Sequence, residues 1–191
     1  MKKSMIKTAS FLAVAALIIV TFNSCDKGYS SSNFGINNIY MPQATVTGGV
    51  NLNYAVPVGL DSATHNYQID SINHKVNVYL GVSVSGEQAN TGLTVNVTVN
   101  KDTTNHIIAG GTILNAFLLP DSIYTLPSSV TIPAGQHMAS FNLSIDAVAL
   151  KAYAGKMALL TVQLSNPTNY MLNKVYNRTV VVIDVSALNL K

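Results

Sequence analysis

The chain has 191 residues, of which 48% are hydrophobic and only 10% charged, and it holds one cysteine. The formal net charge is +3, but Lys2, Lys3 and Lys7 fall within the first seven residues, and the remainder is neutral, with eight basic and eight acidic side chains. A neutral body without a charge run lacks the basic surface that nucleic acid requires, and one thiol excludes an internal disulfide or a cysteine metal cluster.

In chain order, the three lysines make a positive opening, and the apolar run Phe11–Val20 follows. Ten residues suit the core of an export signal and are too few to cross a bilayer as a permanent helix. Next comes Thr21-Phe22-Asn23-Ser24-Cys25. A small residue before a cysteine, directly after an apolar core, resembles the lipobox of bacterial lipoproteins. That resemblance implies a signal peptide over residues 1–24, diacylglycerol on the Cys25 thiol, and an anchor in the outer membrane. Residues 25–38 are rich in Ser, Asn and Gly and read as a flexible tether.

Strand signals dominate from residue 39 onward. Ile39-Tyr40-Met41 is a short edge strand stopped by Pro42, and Val50, Leu52, Tyr54, Val56 and Val58 alternate with small or polar residues. Residues 65–70 make a further, less regular strand. Val76, Val78, Leu80, Val82 and Val84 alternate through the clearest strand of the chain, and Leu93, Val95, Val97 and Val99 repeat the pattern. Between 101 and 118 the alternation breaks, where Asp102-Thr103 could cap a short helix and Gly110-Gly111 would weaken it. Strands resume at 124–126, 130–132 and 139–145, a helical turn is expected within 148–155, and strands follow at 160–164 and 179–185. Thr179–Val185, with the apolar run Val180–Ile183 at its middle, reads as a central strand. About eight to ten short strands broken by turn signals predict an all-β, immunoglobulin-like antiparallel sandwich over residues 39–191.

The stretch Leu119-Pro120-Asp-Ser-Ile-Tyr124-Thr-Leu-Pro-Ser-Ser-Val-Thr-Ile-Pro-Ala-Gly-Gln136 resembles the Bacteroidetes lipoprotein module known as domain of unknown function 1735. Ile39-Tyr-Met-Pro-Gln-Ala44 resembles its opening strand, Val82–Gly86 through Val95–Val99 its first hairpin, and Tyr170-Met-Leu-Asn173 its end. The resemblance covers roughly residues 38–186 and implies an exported β-sandwich on or near the cell surface. It brings no catalytic residues. The sequence is expected to hold this module alone.

Candidate chemistry is sparse. His65, His74, His106 and His137 form no metal-type pair, so no metal or cofactor is expected. If residues 65–70 and 74–79 form a hairpin, His74 falls near Asp70. No Gly-x-Ser-x-Gly frame surrounds a serine, and the acids are scattered, so no catalytic residue is assigned and an enzyme is not expected. Asp61-Ser62-Ala63, Asp70-Ser71-Ile72, Asp102-Thr103-Thr104 and Asp121-Ser122-Ile123 resemble the O-glycosylation acceptors of exported Bacteroidetes proteins, which makes Ser62, Ser71, Thr103 and Ser122 candidate sites. The competing reading is that Asp-Ser and Asp-Thr simply start turns. Tyr79 lies opposite the apolar face of its strand, where its ring could stack on a sugar or merely cover the sheet. The expected function is therefore an accessory module that binds glycan or another surface protein. The alternative is a structural subunit of a fimbria-like assembly built by strand exchange.

Two measurements check the covalent chemistry. Cys25→Ala should release the protein from membranes, and the intact mass of the native protein should exceed that of the mature polypeptide plus its acyl groups. Continued sedimentation with membranes, or an unmodified mass, would overturn the respective assignments.

Overall fold

The computed structural model describes residues 37–45, 53–86 and 91–190. The signal segment, Cys25 and residues 26–36 of the expected tether lie outside them. In chain order the strands are β1 (Asn38–Tyr40), β2 (Asn53–Val56), β3 (Tyr67–Asp70), β4 (Lys75–Val84), β5 (Leu93–Val99) and β6 (Ala116–Leu118). They continue with β7 (Tyr124–Thr125), β8 (Ser129–Ile132), β9 (Met138–Asp146), β10 (Met157–Ser165), β11 (Met171–Leu172) and β12 (Arg178–Asp184). Helix α1 (Lys101–Ala109) lies between β5 and β6, and the short α2 (Ala147–Lys151) follows β9.

Two six-stranded sheets form the sandwich. The first runs β11-β1-β4-β9-β7 with β3 also on β4, and the second runs β2-β12-β10-β5-β8 with β6 also on β10. Seven of the ten described ladders are antiparallel, and the parallel ones are β1–β11, β2–β12 and β6–β10. The fold is the all-β sandwich that the alternation predicts. Val76, Val78, Leu80, Val82 and Val84 of β4 face Leu93, Val95 and Val97 of β5 and Leu160, Val162 and Leu164 of β10 in one continuous core. Each such side chain, fully removed from water, contributes about 1.5–3 kcal/mol.

The sequence pattern also explains where it misleads. Val58 continues the alternation of β2 but is 52% exposed, because Pro57 has no N–H for the ladder and the strand stops at Val56. The cap of α1 is Asn100, whose Oδ1 accepts from Thr103 N at 2.9 Å, and not Asp102-Thr103. Strands β6 and β11 are too short to show a period. The strand expected at 179–185 is indeed central: β12 lies between β2 and β10, and both its faces are covered. Val181 and Ile183 face the main core, while Val180 and Val182, with Leu159 of β10, pack under Ile107 and Ile108 of α1 on the outer side.

Each central strand shares one edge between two strands. Strand β4 pairs with β3 through residues 75–78 and with β1 at 83–84. In the gap, Tyr79 N donates to Asn66 O at 3.0 Å and Gly81 N to Gln43 Oε1 at 3.2 Å. Gln43 sits in the 3-10 turn Pro42–Thr45, which carries the chain away from β1 with Met41 and Ala44 fully buried. Strand β10 pairs with β6 at 157–159 and β5 at 162–165. There Thr161 N donates to Thr104 Oγ1 of α1 at 2.9 Å, and Asn100 N donates to Thr161 O at 2.9 Å. Both threonines are fully buried.

Thr104→Val keeps the shape of the side chain but leaves the buried Thr161 N–H without an acceptor. It should cost about 1–3 kcal/mol, read as a lower urea midpoint with an unchanged slope. An unchanged midpoint would show that the bridge is not needed.

Candidate functional site

The outer face of the first sheet is set by the pleat of β4 and β9. Asn77, Tyr79, Gly81 and Ser83 alternate with the core residues of β4 on its outer side, Gly81 and Ser83 being themselves buried, and register places Ser144, Asn142, Ser140 and Met138 of β9 opposite them. Gln68 of β3 lies opposite Asn77, and Tyr40 of β1 opposite Ser83. Tyr79 is 39% exposed and Met138 55%. Gln68, Ser140 and Asn142 are exposed as well. Ser144 Oγ donates to Asn77 Oδ1 at 2.7 Å. At the α2 end of this face Lys75 Nζ stands 3.5 Å from Asp146. The outer face of the second sheet is different, since α1 closes part of it.

The expected hairpin of β3 and β4 is present, and its turn forms one wall of a cleft of about 450 Å³. Asp70, Ser71 and His74 line it, together with Ile69, Val148 of α2 and Leu190. His74 takes a left-handed backbone conformation with φ 52°. His65 lies elsewhere, stacked on Tyr67 at 5.0 Å between ring centroids. Among the described residues no three His, Cys, Asp or Glu side chains gather as a metal site would need.

The four Asp-Ser/Thr triplets occupy different settings. Asp61 Oδ1 accepts from Ala63 N and from Thr64 N and Oγ1, at 2.9–3.1 Å. Asp70 likewise accepts from Ile72 N and Asn73 N through Oδ1 and from Asn73 Nδ2 through Oδ2. Asp121 holds Lys101 Nζ and accepts from Tyr124 OH. Ser62, Ser71 and Ser122 are exposed on these turns, while Thr103 is half-buried in the first turn of α1. Two further acids cap backbone. Asp146 Oδ1 accepts from Ala149 N at the start of α2, and Asp184 Oδ1 from Ser186 N and Ala187 N. Of the six described acids, these five hold donors of their own chain, and the sixth, Asp102, stands exposed in the first turn of α1.

These bonds lower the carboxyl pKa values, through Thr64 at Asp61, Asn73 at Asp70, Lys101 and then Tyr124 at Asp121, and Ala149 N at Asp146. Burial, and then the neighbouring Asp121, push the Tyr124 hydroxyl up to about 12.

Sequence reasoning placed Tyr79 outward. It missed Asn142, Ser140 and Gln43, because the partner of a residue across a sheet depends on register, which alternation alone does not give.

Comparison with known proteins follows from this geometry. A family model described as an N-terminal domain matches residues 36–171. No curated protein matches the chain. Among solved structures, a Bacteroides ovatus protein of unknown function aligns with TM-score 0.54 and 19% identity, covering 76% of this chain and 46% of that one. A B. ovatus multidomain protein including domain of unknown function 1735 aligns with TM-score 0.52 and 16% identity, covering 76% and 44%. A third B. ovatus protein, provisionally named as carbohydrate binding, aligns with TM-score 0.51 and 14% identity, covering 76% and 36%. The chain thus spans less than half the length of each, and the likeness is one of fold.

The four carboxyls bind protons less tightly folded than unfolded. Their contribution is fully present above the unfolded value, about 3.9, and is lost as pH falls through the lower folded values. Thermal melts should therefore hold level from pH 7 to 5 and fall below pH 4. A melting temperature constant down to pH 2 would contradict this.

Proposed function

This chain belongs to the family of N-terminal domains whose model spans residues 36–171, and we propose that it is an exported, lipid-anchored binding module without enzymatic activity that takes a glycan as its ligand. Within that family we assign it to the type of domain of unknown function 1735, on the motifs around Leu119–Gln136. Cys25 carries the lipid that holds it at the outer membrane.

One observation carries the binding reading. The outer face of β4 and β9 sets the exposed Tyr79 ring beside the exposed Asn142 and Ser140. Aromatic rings stack on the apolar faces of sugars, and amides pair with their hydroxyls. The engagement of the acids supports the non-enzymatic part. A glycosidase needs two carboxyls facing one cleft, whereas five of the six described acids are spent on turns, caps and one lysine. The fold-level likeness to a B. ovatus protein provisionally named for carbohydrate binding is in keeping with this reading.

The exported chain bearing Cys25→Ala, and so free of lipid, should bind at least one class of immobilised glycan on an array. Failure to retain any glycan would remove this proposal.

A further inference from the structure

We infer that the open edge of β9 pairs with the same edge of a second copy of this chain, joining the first sheets of two molecules about a two-fold axis at Ser140. The inference is independent of the glycan reading.

The open edge follows from the pairing of β9. The strand is as long as β10, nine residues each. Strand β4 runs along the whole of one side, whereas on the other β7 meets only Ser144 and Ile145. Opposite residues of an antiparallel pair alternate between those that exchange backbone hydrogen bonds and those that do not. Tyr79 N and Gly81 N donate away from β9, to Asn66 O at 3.0 Å and Gln43 Oε1 at 3.2 Å, while Val84 N donates to His137 O at 2.9 Å. The pairs that exchange no bonds are therefore Tyr79–Asn142, Gly81–Ser140 and Ser83–Met138. The N–H and C=O groups of Met138, Ser140 and Asn142 point to the far side, and no described residue bonds them there.

Exposure changes where β7 stops. Ser144 is half-buried, but Met138, Ser140 and Asn142 are exposed. On the inner side Leu143 and Ile145 are fully buried, whereas Phe141 keeps 8% exposure and Ala139 is half-buried. A strand laid end to end with β7 would complete this edge in the way that the edges of β4 and β10 are completed.

The residues of the edge point to a second copy as that strand. A closed two-fold interface must complement itself, and a charge close to its axis would face its own like. From Met138 to Ile145 no side chain is charged and no proline interrupts the strand. Antiparallel pairing about Ser140 uses all the outward groups: Met138 meets the partner's Asn142, and Ser140 meets the partner's Ser140. On the inner side Phe141 falls opposite the partner's Ala139, large against small, and symmetry repeats the match. Moving the axis to Asn142 would set the partner's Ser140 against Ser144, which β7 already holds. By contrast, the edge strand β8 lies between Pro127 and Pro133, and β2 runs into Pro57 with its Ala55 carbonyl held by Asn66.

Sedimentation velocity of the Cys25→Ala chain, which lacks both lipid and thiol, tests this across a concentration series. The expected species has twice the chain mass and dissociates on dilution. Ser140→Lys sets like charges opposite each other and should raise the dissociation constant about tenfold or more. Ser140→Pro removes only an outward N–H and should do the same. Gln68→Lys, exposed on β3, should leave the dimer intact. Thermal melts check folding, and Ser140→Lys alters an exposed side chain, so it stays informative if Ser140→Pro does not fold. Register is read by single cysteines in the same chain under mild oxidation. Residues directly opposite in a bonded pair lie about 5.5 Å apart between Cα atoms, within disulfide reach. Ser140→Cys should therefore give a covalent dimer, and Asn142→Cys, about 13 Å along the strand from its own mate, should not. A monomer at every concentration would overturn the inference, and would leave the edge to another segment or a foreign strand. A dimer indifferent to Ser140→Lys and Ser140→Pro, or cross-linked through Asn142→Cys and not Ser140→Cys, would overturn it equally.

Discussion

The sandwich depends on how its two central strands are finished along one edge. Strands β4 and β10 are long, and no single neighbour spans the second side of either. Each takes two partners end to end, and backbone groups in the gap would otherwise be stranded in the interior. A buried amide without an acceptor costs about 1–3 kcal/mol. Gln43 meets the need at Gly81, and Thr104 meets it at Thr161. Both come from helical turns that the chain inserts between strands, so these irregular segments complete the sheets they interrupt.

This arrangement explains what could be read from sequence. Long strands with one buried face announce themselves, as β4, β5 and β9 do through Val76–Val84, Leu93–Val99 and Phe141–Ile145. The apolar middle of β12, Val180–Ile183, is equally plain, since both its faces are covered. Strands of two or three residues, such as β6 and β11, carry no period and exist only through their neighbours. The same limit applies at the candidate site. Tyr79 is legible as outward from its own strand, but Asn142 becomes its neighbour only through the β4–β9 register. Gln43 looks like a loop glutamine until Gly81 is placed beside it.

The sparing use of charge has a similar logic. The described acids stabilise turns and a helix start. Polarity on the open face falls instead to amides and hydroxyls, which interact without a net field and are little affected by salt. The two outer faces thus differ: α1 closes part of one against its own sheet, and the other presents exposed Tyr79, Asn142 and Ser140.

Asn66 joins the two sheets at one side. Its Nδ2 donates to Ala55 O at 2.7 Å and its Oδ1 accepts from Val58 N at 2.9 Å, while its backbone bonds Val58 O and Tyr79 N. Ala55 belongs to β2, which ends the second sheet. An edge strand with unpaired backbone is a template for the strands of other molecules. The amide of Asn66 takes up the Ala55 carbonyl, so the residue that clasps the sandwich also removes one open acceptor from this edge.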